Sequence, residues 1–238
     1  MKFFVKLILD LFDTITEKKI TKFFRNIFEK KIPIIIDVGS HKGEYIFNII
    51  KNFEFEKIHS FEPNPKIFNI LKKNLHKYKN IQINNLGVGE FDKKEILNDN
   101  IESSSTSINK LNKSSKYFKK KYFLLNPFNN KSITNPIEIN VITLNSFIKQ
   151  EEIEYIDLLK IDTEGYELKV LLGLGDEIKK IKCIHFEHHF DDMIIKKYTL
   201  SNIHNYLMSH NFKKIYKVKM KFRKSFEYIY ENQKKKYE

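Results

Sequence analysis

The chain has 238 residues, 41% of them hydrophobic, with a single cysteine and a formal net charge of +13. That length and apolar content suit one α/β domain with a full core, and a lone Cys183 excludes a disulfide framework and suits a reducing compartment. The charge excess is lysine scattered among Ile and Asn, with arginine only at Arg25 and Arg223; it reads as a compositional bias and not as a phosphate-reading patch, so nucleic acid is not the expected partner.

Residues 3–15 carry Phe4, Leu7, Ile8, Leu11, Phe12 and Ile15 at helical spacing. The start resembles a secretory signal, but Lys6 and Asp10 interrupt the apolar run and no small-residue cleavage site follows. Thr14 and Glu17 are spaced as a capping box for a second helix through Phe24, Ile27 and Phe28. Residues 1–32 are therefore expected as a helical extension packed on a main domain of residues 33–238, covering an edge of the sheet. Lysines flanking the stripe make peripheral contact with the inner face of a membrane the alternative role. No run is long enough to span a bilayer, and a cytoplasmic location is expected.

The stretch Ile34–Gly43, IIIDVGSHKG, predicts a buried parallel strand, an acid at its end and a glycine turn into a helix bearing Tyr45, Ile46, Ile49 and Ile50. This is the entry of a doubly wound fold, in which ligands sit beyond the carboxyl ends of the strands. His41 stands near the place of the middle glycine of a dinucleotide loop, so the turn suits a nucleoside without a pyrophosphate. A second strand, Lys57–Phe61, ends at Glu62, where an acid grips ribose hydroxyls in such folds; Asn64-Pro65 then starts a helix through Ile67, Phe68, Leu71 and Leu75.

Ile81–Asn84 predicts a third strand and Leu86–Gly89 a turn. Extended segments at 94–98 and 137–142 flank a Ser-, Asn- and Lys-rich insertion, with SSSTS at 103–107 and aromatics at Tyr117, Phe118, Tyr122, Phe123 and Phe128; its composition predicts a loop or lid. Tyr155–Ile161 predicts a fourth strand ending in Asp162, Thr163, Glu164 and Gly165, two carboxylates aimed at the crevice, with a helix through Leu168, Leu171 and Leu172. A fifth strand, Ile181–Phe186, runs into Glu187, His188 and His189. His185, Glu187 and His189 share one face, as an acid–base or substrate pair more readily than as metal ligands. A helix over Asp191–Met208 and a hairpin of Phe212–Met220 with Phe226–Tyr230 complete the chain, with Arg223 near the turn.

Taken together, IDVGSHKGEY, SFEPNP, NNLGVGE, LLKIDTEGYELKVLLG and the strand ending HFEHH resemble the FkbM-type family of S-adenosylmethionine-dependent methyltransferases, over about Ile34 to Phe190. The resemblance implies a class I, Rossmann-like three-layer α/β sandwich, with a seven-stranded, mostly parallel sheet closed by an antiparallel C-terminal hairpin. It implies S-adenosyl-L-methionine as cofactor: its methionine portion at the loop of Asp37, Gly39, Ser40, His41 and Gly43, its ribose at Glu62 with Pro63 and Asn64, its adenine near Gly87 and Val88. It also implies a hydroxyl acceptor on a sugar, glycan, glycolipid or polyketide-type metabolite. A hydroxyl needs a base, and Asp162 is the first candidate, with Glu164 and His188 behind it. Lys160 is placed to stabilise a developing alkoxide if it points into the crevice. The rival expectations are an RNA methyltransferase, which the charge alone favours, and a non-catalytic module binding the nucleoside or an anionic glycan. No metal is expected.

Overall fold

The computed structural model describes residues 2–99, 107–125, 135–221 and 223–234. Helix α1 runs unbroken over Lys2–Phe28, where the sequence predicts two helices. No glycine or proline interrupts Thr14–Glu17, and Thr16 Oγ1 donates back to the carbonyl of Phe12, which satisfies the hydroxyl inside a helix. The Thr14–Glu17 spacing therefore caps nothing.

Strand β1 (Ile34–Val38) leads into α2 (Glu44–Asn52), β2 (Lys57–Phe61), α3 (Pro65–Leu75) and β3 (Ile81–Asn84). Asn64 caps α3 by accepting from the Lys66 N–H, with Pro65 in its first turn. Next come the two-residue β4 (Gly87–Val88) and β5 (Lys93–Asp99), α4 (Lys116–Leu125), β6 (Asn135–Ile142) and α5 (Leu144–Gln150). Strands β4, β5 and β6 form a small second sheet with β6 central, parallel to β4 and antiparallel to β5. The extended segments expected at 94–98 and 137–142 are its β5 and β6, whereas the sequence predicts Leu86–Gly89 as a turn, because the two-residue β4 has no periodicity to show.

The chain continues through β7 (Ile156–Ile161), α6 (Glu167–Leu172), a 3-10 turn at Gly175–Lys180, β8 (Ile181–His189), α7 (Leu200–Ser209), β9 (Phe212–Lys219) and β10 (Ser225–Asn232). Helix α7 is shorter than the predicted Asp191–Met208. Asp191 accepts from the Met193 N–H in a local turn, and Thr199 with Asn202 forms the capping box that starts the helix. Residues 191–199 instead pack Met193 and Ile194 inward, under the insertion.

The main sheet has the order β3-β2-β1-β7-β8-β10-β9. Its first five strands are parallel and β10 is antiparallel to both neighbours. One apolar cluster (Val38, Phe61, Phe147, Leu159, Phe186, Tyr228) lies under α5, α6 and α7; a second (Phe24, Ile35, Ile46, Ile58, Leu71, Cys183) lies under α1, α2 and α3. The fold is thus a three-layer α/β sandwich with a seven-stranded mixed sheet. The order in which successive strands are laid down reverses between β1 and β7, with the strands still parallel, and the crevice of such a sheet opens at that point.

Candidate active site

The loop after β1 is bound to its neighbours through the backbone. The Gly39 and Ser40 N–H groups both donate to the Phe61 carbonyl at 3.0 Å, and the Asp162 N–H donates to the Val38 carbonyl at 2.9 Å. Gly39 has φ +85°, and a Cβ there would lie 1.9 Å from the Asp162 carbonyl oxygen. Only glycine permits that approach, which brings the loop after β1 against the loop after β7. His41 (φ 49°) and Glu164 (φ 50°) hold left-handed conformations in the same two loops, the kind of strain that concentrates at ligand sites.

A cavity of about 280 Å³ opens here. Glu62, Pro63, Gly39, Ser40 and His41 line one part, with Val38, Phe61, Leu86, Gly87 and Val88 as its apolar wall. Glu62 is buried; its Oε2 accepts from the His41 N–H and its Oε1 from the Asn64 N–H, each at 2.9 Å. Burial outweighs those two donors and raises the carboxyl to about 7. Asp37 is buried behind the loop and does not line the cavity; its Oδ2 accepts no hydrogen bond, and burial raises it to about 6 against the pull of Ser40 and Lys160. Gly43 and Asn64 stand outside the lining too, Gly43 giving α2 its left-handed start at φ 94° and Asn64 capping α3.

The loop after β7 brings Asp162, Thr163, Glu164 and Tyr166 to the same cavity. Asp162 is 37% exposed, and that surface faces the cavity. Its carboxyl is raised, first by loss of solvation, with Lys160 pulling the other way. Lys160 does point inward. Its Nζ lies 3.2 Å from Glu227 Oε2 and 3.8 Å from Asp162 Oδ2, near the Tyr45 ring. Burial lowers the pKa of the ammonium, but Glu227, Asp162 and Glu187 outweigh it and hold that pKa above the usual lysine range. Glu227 in turn lies 2.9 Å from His185 Nε2 and stays ionised, its pKa lowered by Lys160 and His185 although burial opposes this.

Glu164 lies 3.3 Å from His189 Nε2, and Glu167 holds the loop through Gly165 N–H and the Tyr198 hydroxyl. His188 is elsewhere. It takes the other side of β8 from Glu187, packed on Phe190 and Tyr198, and does not line the cavity; burial, Lys196 and His189 lower it to about 3. Among the described residues no three His, Cys, Asp or Glu converge as metal ligands.

Several lining residues escaped the sequence reading. Asp13, Thr16, Glu17 and Ile20 come from α1, and Met220, Arg223 and Glu227 from the C-terminal hairpin. Their sequence separation from the glycine loop left no signal to find. In α1 itself, Ile20, Phe24 and Phe28 are committed to the core. No helix among the described residues is long and apolar enough to cross a membrane. The polar insertion holds α4 where a loop was expected. Ser107 Oγ donates to the Glu164 carbonyl, and Ser107 and Ile108 line the cavity while Tyr117 and Phe118 do not. The side chains of Tyr122 and Phe123, Phe128, and the serine run at 103–106 lie outside the described residues.

The family model described as the Methyltransferase FkbM domain matches residues 37–214. Methyltransferase 1 of Beauveria bassiana (strain ARSEF 2860) is 28% identical over 148 residues, 60% of this chain and 59% of that protein. Among solved structures, Methyltransferase FkbM from Methylobacillus flagellatus KT superposes with a TM-score of 0.54 at 16% identity, covering 84% of this chain and 44% of that one. N-methyltransferase NodS from Bradyrhizobium japonicum WM9 superposes with a TM-score of 0.51 at 6% identity, covering 93% and 96%. At these identities the two structures speak to the fold, which they share with the three-layer sandwich above. The chain spans less than two thirds of the length of the Beauveria and Methylobacillus proteins. The family's domain is matched from the acid at the end of β1 into β9, across both loops that build the cavity, and the chain belongs to the FkbM methyltransferase family.

Proposed function

We propose that this protein transfers a methyl group from S-adenosylmethionine to a hydroxyl oxygen of a sugar, glycan or polyketide-type acceptor. One observation carries the reading: Glu62 and Asp162, at the ends of strands on either side of β1, open onto one cavity. The cavity suits the cofactor. A buried carboxylate stands where a ribose diol would meet it, an apolar slot of Val38, Phe61, Leu86 and Val88 suits a purine, and the loop after β1 offers the small Gly39 and Ser40 beside them. Glu62 would hold the ribose, Gly87 and Val88 the adenine side, and Gly39, Ser40 and His41 the amino-acid end; Asp37, Gly43 and Asn64 would shape that loop from behind.

When bound, the cofactor supplies a methyl group whose bond to sulfur breaks, the electron pair passing to sulfur, as the acceptor oxygen forms its bond to carbon. Asp162 takes the hydroxyl proton, made more basic by its loss of solvation. Lys160 stabilises the charge that develops on oxygen, and Glu227 holds that ammonium in place. Glu164 lines the cavity as the second carboxylate, whereas His188 would have to turn through the sheet to take part. The RNA reading rests on net charge and gains nothing from a cavity rich in carboxylates. A cytoplasmic location is part of the proposal, in keeping with a buried free Cys183.

The test is a paired measurement on wild type and Asp162→Asn. S-adenosylhomocysteine is titrated by calorimetry, and labelled methyl transfer is followed onto glycan, lipid and RNA fractions of the host. Wild type should bind in the low-micromolar range. The variant should keep affinity within roughly threefold while turnover falls by about 10²–10⁴. Absence of heat with S-adenosylhomocysteine, alongside binding of a nicotinamide dinucleotide, would refute the cofactor. Equal loss of binding and turnover would move Asp162 to the cofactor's side.

A further inference from the structure

The cavity wall that does not come from the loops after β1 and β2 is acidic, in a protein with a surplus of 13 positive charges. Asp13 and Glu17 reach it from α1, Asp162 and Glu164 from the loop after β7, and Glu187 and Glu227 from β8 and β10. The cations nearby are already taken. Arg223 pairs with Asp13, and Lys160 sits between Glu227 and Asp162. His189 lies 3.3 Å from Glu164, 3.4 Å from Glu187 and 3.6 Å from Asp191. These carboxylates, with Asp191's hydrogen bond, outweigh burial and raise His189 to about 10, so it is charged and fully engaged.

The carboxylates outnumber the cations that face them. Glu17, exposed at the cavity's edge, has no ion-pair partner among the described residues; its carboxyl is raised by partial loss of solvation and then by Asp13, Glu227 and Glu44, with Lys160 pulling the other way, so the net field there is negative. Glu187, buried beneath, adds its negative charge to the wall while its Oε1 stays beside His189 Nε2. A chance sample of this lysine-rich chain would line a cavity with the opposite sign.

We infer that the acceptor is a polyhydroxyl compound bearing a protonated amine and no phosphate, an amino-sugar-type substrate whose ammonium is held at Glu17 while its hydroxyl meets Asp162. This rests on the methyl-transfer reading for the hydroxyl, but the charge preference stands on the wall itself. An ammonium gains attraction and donates to carboxylate oxygens that have acceptor capacity left. A phosphate meets like charge, with no unpaired lysine or arginine among the described lining residues to offset it. Arg223 and Asp13, tied together, close the ring between α1 and the hairpin.

The test uses the full chain with and without S-adenosylhomocysteine, and three probes: methyl glucosaminide, methyl glucoside and glucose 6-phosphate. Their affinities are measured by saturation-transfer NMR titration at low salt. The amine should bind at least about tenfold tighter than the neutral glycoside, the scale of one added charge contact in a partly desolvated site, and the phosphate should show no saturable binding. Glu17→Gln should remove most of the amine's advantage, and Glu17→Lys should reverse the order of amine and phosphate. S-adenosylhomocysteine affinity, read in the same samples, confirms that each variant is folded. Equal binding of amine and neutral probes, tighter binding of the phosphate, no binding of the amine, or an amine advantage that survives Glu17→Gln would overturn the inference. Failure to bind S-adenosylhomocysteine would refute the methyl-transfer reading instead, leaving the probe order to be judged without it.

Discussion

Glu62 shows how one carboxyl's surroundings set a ligand's pH dependence. It is buried, held by the N–H groups of His41 and Asn64, and raised to about 7. Ribose hydroxyls donate to the ionised carboxylate, so cofactor binding competes with a proton on Glu62. Affinity for S-adenosylhomocysteine should therefore rise with pH across the range 6–8, by about tenfold for a group of pKa about 7. The same shift acts on stability with the opposite sense. The folded state keeps this proton to higher pH than the unfolded chain does, so the contribution is largest below the ordinary carboxyl pKa and is lost as pH rises through about 7. Calorimetry at pH 6, 7 and 8 reads the first effect. Glu62→Ala should weaken binding by about 1–3 kcal/mol at pH 8 and flatten the profile. A steep profile retained in that variant would assign the titration to Asp37, whose carboxyl is also raised, to about 6.

At the scale of elements, the site exists because the loops after β1 and β7 touch. Gly39 is the contact: a Cβ there would lie 1.9 Å from the Asp162 carbonyl oxygen. Gly39→Ala should cost more than about 2 kcal/mol, since both the positive φ and rigid backbone oppose it, with Tm lowered by roughly 5–15 °C. Gly43→Ala is the comparison. Its Cβ would meet the end of the Leu71 side chain at 3.1 Å, which can move, so the loss there should be smaller. Thermal unfolding of the two variants side by side checks the order; equal losses would mean that backbone φ alone matters and that the loop contact adds nothing. Helix α1 is the other decisive element. Its buried Phe24 and Phe28 cover Cys183 and Ile229 on the sheet, while Asp13 and Glu17 on the same helix face the cavity.

Over the whole molecule, charge is distributed in two ways that oppose each other. The surplus of lysine covers the outside, as on β9, where Lys213, Lys214, Lys217 and Lys219 are exposed along a sheet edge. Such lysines discourage edge-to-edge pairing and attract any polyanion without reading it. Retention on heparin should therefore fall steeply between 50 and 200 mM salt, as counterion release requires. Affinity for S-adenosylhomocysteine should change less than about twofold over the same range, because its contacts are local and screened from bulk salt. Parallel heparin and calorimetric titrations decide the matter. A cofactor-product affinity that tracked heparin retention would show that the outer field, and not the cavity, governs binding.

Local pattern was enough for the strands β1, β2, β3 and β7, for the Asn64 cap and for the positions of Glu62 and Asp162. A buried parallel strand is a short apolar run, and its flanking acid or glycine is adjacent in sequence. The resemblance of FEPNP and KIDTEGYE to one family rested on the same short stretches, and the matched domain runs through them. The rest depended on contacts between distant residues. Alternation along β8 already parts His188 from His189, but only packing sets His188 against Tyr198 and His189 beside Glu164. Lys160 gained its direction from Glu227, 67 residues away. Asp13 met Arg223 across 210 residues. Charge at the cavity wall belongs to no segment: it is the sum of side chains from α1, the loop after β7 and the C-terminal hairpin, and only their packing brings those carboxylates to one surface.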